Sequence, residues 1–302
     1  MPQFALINQK CYNYYMKTVL TYIFIILILI CHTGFLGALE LEVSGGLNNF
    51  TWKPEKTTAG GIFEPHPFIL GKISVKDDIS KAWGFEINVE RDNILLNSVD
   101  FRLKTMTDYF GFEFGVFTGI NDGFNSLNMG ILGALQINWP GILFVSISGS
   151  STVGSRFELT GNDFRESAEL KIGFMLPVVI PVLYAGTKSF TEETNTLSSV
   201  NKLDRFGLSA EFYFTKTSPF SFSVNGGYQI LTKTYYHGAK ETVDELSAIF
   251  TGLDFQLSVS KHLRFMIGAE MPIVVTPTLP LKASEEFWTM FKVNAGFNVK
   301  FF

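Results

Sequence analysis

Eight acids (Glu86, Glu90, Asp100, Glu113, Glu169, Glu211, Asp254 and Glu270) and seven bases (Arg102, Lys104, Lys171, Arg205, Arg264, Lys292 and Lys300) occupy the polar phase of segments whose other alternate residues are apolar. Charged groups of both signs at a period of two suit one kind of chemistry. They either line a wet passage and bias which solutes enter it, or pair with one another and fill it. The candidate lining residues are Glu86, Asp100, Arg102, Glu113, Glu169, Lys171, Arg205, Glu211, Arg264 and Glu270. Arg102 and Glu113 are expected almost opposite each other across a turn near Thr107, and Glu169 and Lys171 share a face. With the two signs so nearly balanced, strong ion selectivity is not expected.

Other chemistries lack their residues. His66, His237 and His262 lie far apart, with no His or Cys at ligand spacing, so no metal site is expected. No G-x-S-x-G elbow and no phosphate-cradling glycine loop occurs, so neither enzyme activity nor a cofactor is expected. A formal charge of −4 without a Lys/Arg run argues against nucleic acid as a partner. A hydrophobic fraction of 46% with 17% charged residues excludes a disordered chain.

The elements that position the charges read as strands. Clean cases are Trp83, Phe85, Ile87, Val89 against Glu86, Asn88, Glu90, then Phe110, Phe112, Phe114, Val116 against Gly111, Glu113, Gly115, and Phe206, Leu208, Ala210, Phe212 against Arg205, Gly207, Ser209, Glu211. Together with less regular segments near 64–76, 127–138, 141–152, 178–189 and 246–259 they predict fourteen strands, or twelve if two weak ones are irregular. Connections after even strands look tight, and those after most odd strands look long and polar, chiefly 153–163, 190–204 and 235–243. The short link Arg91-Asp92-Asn93 breaks this rule.

Ahead of the strands, Lys17 and an apolar run from Val19 to Cys31 lead to a small-residue exit at Gly37-Ala38. This pattern predicts a secretory signal peptide over residues 1–38, with Met16 an alternative start. A retained anchor or a lipidated Cys31 are the alternatives. Cleavage after Ala38 removes Cys11 and Cys31, so residues 39–302 would fold without disulfides.

Alternation suits a soluble sandwich as well as a barrel. Three features favour the barrel: a very aromatic apolar phase, a polar phase mixing charge with Gly, Ser and Asn, and Trp52, Trp83, Trp139 and Trp288 at expected strand ends. Indole rings prefer the membrane–water boundary, so these four are candidate interfacial girdle residues. In lipid every unpaired backbone group costs several kcal/mol, so strands cross only as a closed sheet, with Phe and Leu outward and charges inward. The expected fold is therefore an all-β, closed antiparallel transmembrane β-barrel over residues 39–302.

With its signal segment, its amphipathic strands and the closing stretch Phe291 to Phe302, the sequence resembles bacterial outer-membrane β-barrel proteins. Its Asn-, Lys-, Ile- and Phe-rich texture is similar to spirochaetal members. The resemblance implies residence in the bacterial outer membrane, with its lipid and the barrel-assembly machinery as partners. It also implies an assembly signal at the C-terminal aromatics, where Phe301 ends the apolar phase and Phe302 stands one step out of it. Fourteen strands at about 4.8 Å spacing and about 40° tilt give a radius near 14 Å, wider than lining side chains fill. A porin-like passive channel for small hydrophilic solutes is the leading expectation. The alternatives are a fatty-acid-type transporter for a hydrophobic ligand, or a surface scaffold or adhesin with binding loops.

Overall fold

Alternating oily and polar residues force a sheet to find two different solvents for its two faces, and closure gives it an outside and an inside. The computed structural model describes residues 39–52, 65–78, 83–120, 127–156, 162–193, 198–213, 219–237, 240–277 and 290–301. Residues 1–38, expected as a signal peptide, and Trp288 and Phe302 lie outside the described residues.

Fourteen antiparallel strands form one closed barrel in which each strand pairs with its sequence neighbours. They are β1 (Leu39–Trp52), β2 (Pro65–Asp78), β3 (Trp83–Asp92), β4 (Leu96–Met106), β5 (Phe110–Ile120), β6 (Leu127–Trp139) and β7 (Leu143–Arg156). The second half comprises β8 (Asn162–Phe174), β9 (Val179–Glu193), β10 (Ser198–Tyr213), β11 (Phe220–His237), β12 (Lys240–Ser260), β13 (Leu263–Pro277) and β14 (Lys292–Phe301). The seam closes by pairing β1 with β14, from Leu39 with Phe301 to Asn48 with Lys292.

Outward positions carry an apolar belt of exposed side chains, among them Phe101, Phe112, Phe114, Ile131, Leu183, Phe206, Leu208, Leu253 and Ile267. A water-soluble barrel would not expose so large a continuous apolar surface. In a bilayer that surface is favourable and the closed ladder leaves no edge unpaired, so this is a membrane-spanning barrel.

Segments 153–163, 190–204 and 235–243, expected as long loops, are largely wall. β7 reaches Arg156 and β8 begins at Asn162, β9 reaches Glu193 and β10 begins at Ser198, and β11 reaches His237 with β12 from Lys240. Crossing a bilayer takes about 9–11 tilted residues, whereas β10, β11 and β12 have 16, 18 and 21. These strands continue past the belt because each offers its neighbour an unbroken ladder, as in the pairing of Glu193 with Ser198. Polar residues such as Glu193, Ser198, Lys202 and Asp204 stand outward there, facing water instead of lipid, whereas Ser199 is buried on the inner face.

A second correction concerns the inside, which is not polar throughout. On β10 the order inward Arg205, outward Phe206 inverts just beyond the belt to inward Leu203, outward Asp204, the latter paired with the outward Lys202 at 2.8 Å. Buried Leu203, Leu231, Leu246, Ala248 and Phe190 form an apolar tier with Ile94 and Met290. Period two survives, but the solvents change: beyond the lipid the outer face meets water, and the inner face packs on a turn that enters the barrel.

Candidate functional site: a two-tier interior

The lower tier is built by cross-strand rows of inner-face residues. One row runs Glu42, Ser74, Asn88, Asp100, Phe117, Gly130 and Thr152 from β1 to β7. Another runs Lys104, Glu113, Ala134, Ser148, Glu169, Gly186 and Arg205 from β4 to β10. Along β1 to β5 the charges alternate in sign and join into a network. Glu42 lies 3.2 Å from both Lys72 and Lys76, and Lys76 lies 4.0 Å from Glu86. Glu86 pairs in turn with Lys104, which is 3.3 Å from Glu113. Arg102 grips Asp100 with two bonds, of 2.7 and 3.1 Å, and approaches Glu113 at 3.8 Å.

The residue opposite Glu113 is therefore Lys104 rather than Arg102, which pairs in register with Gly115 and reaches Glu113 diagonally. Elsewhere Glu169 and Lys171 meet at 2.6 Å, and Arg205 spans from β10 to Glu270 on β13 at 2.7 Å. Glu211 and Arg264 take inner-face positions near the short-turn rim, where Arg264 is exposed. The charges that are paired in this way largely cancel one another.

Glu86 is 4% exposed, and Ser74 Oγ donates to it at 2.9 Å. Lys104→Met leaves this carboxylate short of its main cation, so the barrel is expected to lose about 1–3 kcal/mol of stability, the cost of under-satisfying a buried acceptor. The shift in urea midpoint against wild type, both refolded in lipid vesicles, measures it. Glu113→Gln, at a partner more open to solvent, is expected to move the midpoint less.

The upper tier is made by the turn between β3 and β4. β2 runs on through residues 65–70 beyond its pairing of Gly71 with Arg91, so the β3–β4 hairpin ends lower than the wall beside it. The Asp92 carboxylate accepts the backbone N–H groups of Ile94 and Leu95 at 2.8 and 2.9 Å, closing a tight turn. Leu96 completes it at φ 59°, a left-handed conformation unfavourable for a residue with a side chain. Two bases hold the turn inward. Lys188 of β9 binds Asp92 at 2.7 Å, and Arg165 of β8, 1% exposed, donates to the carbonyls of Leu95 and of Asn97, the latter at 2.7 Å. A side chain at Gly119 would collide with the Arg165 guanidinium, so glycine there makes room for the latch.

In a ring of fourteen, β10 stands seven places from β3 in either direction, yet Ile94 packs in one cluster with Leu203 of β10 and Leu231 of β11. The turn therefore bridges the full width of the lumen. Beside it lies a cavity of about 460 Å³ bordered by Asp92, Asn93, Lys188, Arg205 and Lys292, among others. A second, of about 340 Å³, opens toward the short turns between Lys76, Lys104, Glu113 and Gln136.

The sequence missed Asp92, Ile94, Leu95, Arg165 and Lys188 as functional residues. A signal was present: Ile94-Leu95-Leu96 is an apolar run in a turn, where period two fails and water-facing residues are usual. Among the girdle candidates, Trp83 and Trp139 are exposed on the outer face at the short-turn ends of β3 and β6. Trp52 ends β1 at the opposite rim, and Phe301 is outward and exposed beside Leu39. Among the described residues no group of three His, Cys, Asp or Glu is placed to hold a metal ion.

No protein-family model and no curated protein matches the chain. Among solved structures it is similar to a loop-deleted form of OmpT, an outer-membrane protein of Vibrio cholerae (TM-score 0.42, 10% identity, covering 87% of this chain and 98% of that one). It is also similar to NanC porin (TM-score 0.41, 10% identity, 86% and 100% covered) and to another porin (TM-score 0.39, 9% identity, 87% and 99% covered). These neighbours are bacterial outer-membrane β-barrels, and the likeness is one of fold.

Proposed function

We propose that this outer-membrane β-barrel is a narrow passive channel for small hydrophilic solutes, with the β3–β4 turn as its constriction. The observation that carries the reading is the inner face itself: two cavities bordered by charged side chains, most of them paired, inside a closed barrel whose outside is oily. Paired charges hydrate a path without trapping ions in it, and the turn narrows that path to well below the bore expected of fourteen strands. No catalytic role is part of this reading.

The apolar tier favours a second reading, transport of a hydrophobic ligand. It is the weaker, because Ile94, Leu203, Leu231, Leu246 and Met290 are all at most 6% exposed and pack on one another instead of lining a space. Purified protein in planar bilayers is expected to give small, stepwise, weakly ion-selective currents. Silent membranes at high protein, with lipid or detergent retained by the purified barrel, would count against the channel and for the carrier.

A further inference from the structure

We infer that the cavity beside the β3–β4 turn binds an uncharged, polyhydroxylated solute, a sugar or sugar alcohol, through Asn48, Arg205 and Lys292. This names the solute class for the channel proposed above and rests on that reading. Asn48 of β1, Lys292 of β14 and Glu270 of β13 are consecutive members of one inner-face row. Arg205 reaches the row from β10 through its Nη2, 2.7 Å from Glu270 Oε2. Asn48, Arg205 and Lys292 all border the cavity.

These side chains are held in place yet incompletely bonded. Asn48 is 2% exposed, and neither its amide nitrogen nor its amide oxygen has a hydrogen-bond partner. Arg205 Nε and Glu270 Oε1 are likewise buried without partners. Lys292 makes no hydrogen bond or ion pair among the described residues. Buried polar groups are normally satisfied, so a buried set like this calls for a guest that completes it.

The kind of guest follows from how the free groups are arranged. They mix donor and acceptor: the amide of Asn48 holds both, and Arg205 Nε and the Lys292 ammonium add donors. A hydroxyl donates once and accepts up to twice, so neighbouring hydroxyls on a carbon frame match such a mixture. An anion only accepts, so it would leave the Asn48 amide oxygen unanswered and would confront Glu90, Asp92 and Glu169 on the cavity wall. An ammonium only donates and would confront Arg205 and Lys292. Three of the bases on the cavity wall, Lys72, Lys188 and Arg205, are already held by Glu42, Asp92 and Glu270, so little of their charge is left to draw an ion. The volume, about 460 Å³, falls in the range of about 300–1,000 Å³ usual for small-molecule sites.

The test uses the full chain in two settings: planar bilayers in KCl, and detergent solution in a calorimeter, each titrated with trehalose, sucrose and sorbitol. Expected are a saturable fall in current at millimolar sugar, matching binding heat, and loss of both in Asn48→Leu. The unfolding midpoint of that variant is expected at or above wild type, because the amide it removes has no partner. A midpoint well below wild type would make Asn48 structural and overturn its role. Current that falls only with bulk conductivity, without heat, overturns the site. Stronger block by gluconate or glycine at equal concentration overturns the uncharged class. Silent bilayers with sugar heat intact overturn the channel reading while supporting the site.

Discussion

Replacing Ile94 and Leu95 together by serine is expected to raise single-channel conductance several-fold while the barrel stays folded. Ile94 is 3% exposed among Leu203, Leu231 and Leu246. Burying one such side chain is worth about 1.5–3 kcal/mol, and this is what holds a strained turn across the lumen. Its loss shifts the inward pose by roughly one to two powers of ten relative to an open one. The barrel does not depend on it, because the turn lies outside the closed ladder. Lys188→Met is expected to act in the same direction but less. The lysine side chain is 41% exposed, and partly solvated ion pairs contribute about 0–1 kcal/mol. Single-channel recording decides the matter. If the double variant melts earlier but conducts as wild type does, the apolar tier is scaffold and the constriction lies elsewhere.

The second large effect is expected on the outer wall. Phe114 lies in the middle of β5, points outward and is 51% exposed. Phe114→Arg puts a guanidinium against hydrocarbon and is expected to destabilise the barrel by about 2–4 kcal/mol, the cost of such a charge near the bilayer midplane. The same change at Trp83, at the end of β3 where a girdle would sit, is expected to cost about 0–1 kcal/mol. Urea titration of folding into vesicles measures both. Equal effects at the two sites would mean that Phe114 does not face lipid. A stabilised Phe114→Arg protein would point to an aqueous outside and overturn the membrane reading altogether.

Much of this architecture was legible in the chain. Fourteen strands followed from period two, because a residue's side of the sheet is set by the backbone pleat and needs no knowledge of its neighbours. Lysines and glutamates on the polar phase of β3, β4 and β5 were bound to share one face, and they do, in the network from Glu42 to Asp100. Pairing within it was less legible. Whether Glu113 faces Lys104 or Arg102 depends on a register fixed by the turn at 107–109.

Strand ends were misjudged where polarity changes for a reason outside the strand. Residues 190–193 and 198–204 look like loop because their outward face meets water, and the sequence does not mark where lipid stops. Leu203, Leu231 and Phe190 were hidden for the same reason, since an inward apolar residue is only stable if something apolar comes to meet it. That partner, Ile94 on a turn seven strands away around the ring, is a fact of three dimensions.

The sequence by itself determined the strands, their two faces and which face carries the charges, because alternation is local and the pleat converts it directly into inside and outside. Only the tertiary structure decided which charges pair, how far the wall rises above the membrane and that the lumen is bridged. Those depend on closure, which brings residues from opposite sides of the ring within reach of one another and lets the β3–β4 turn fill a space that no strand alone encloses.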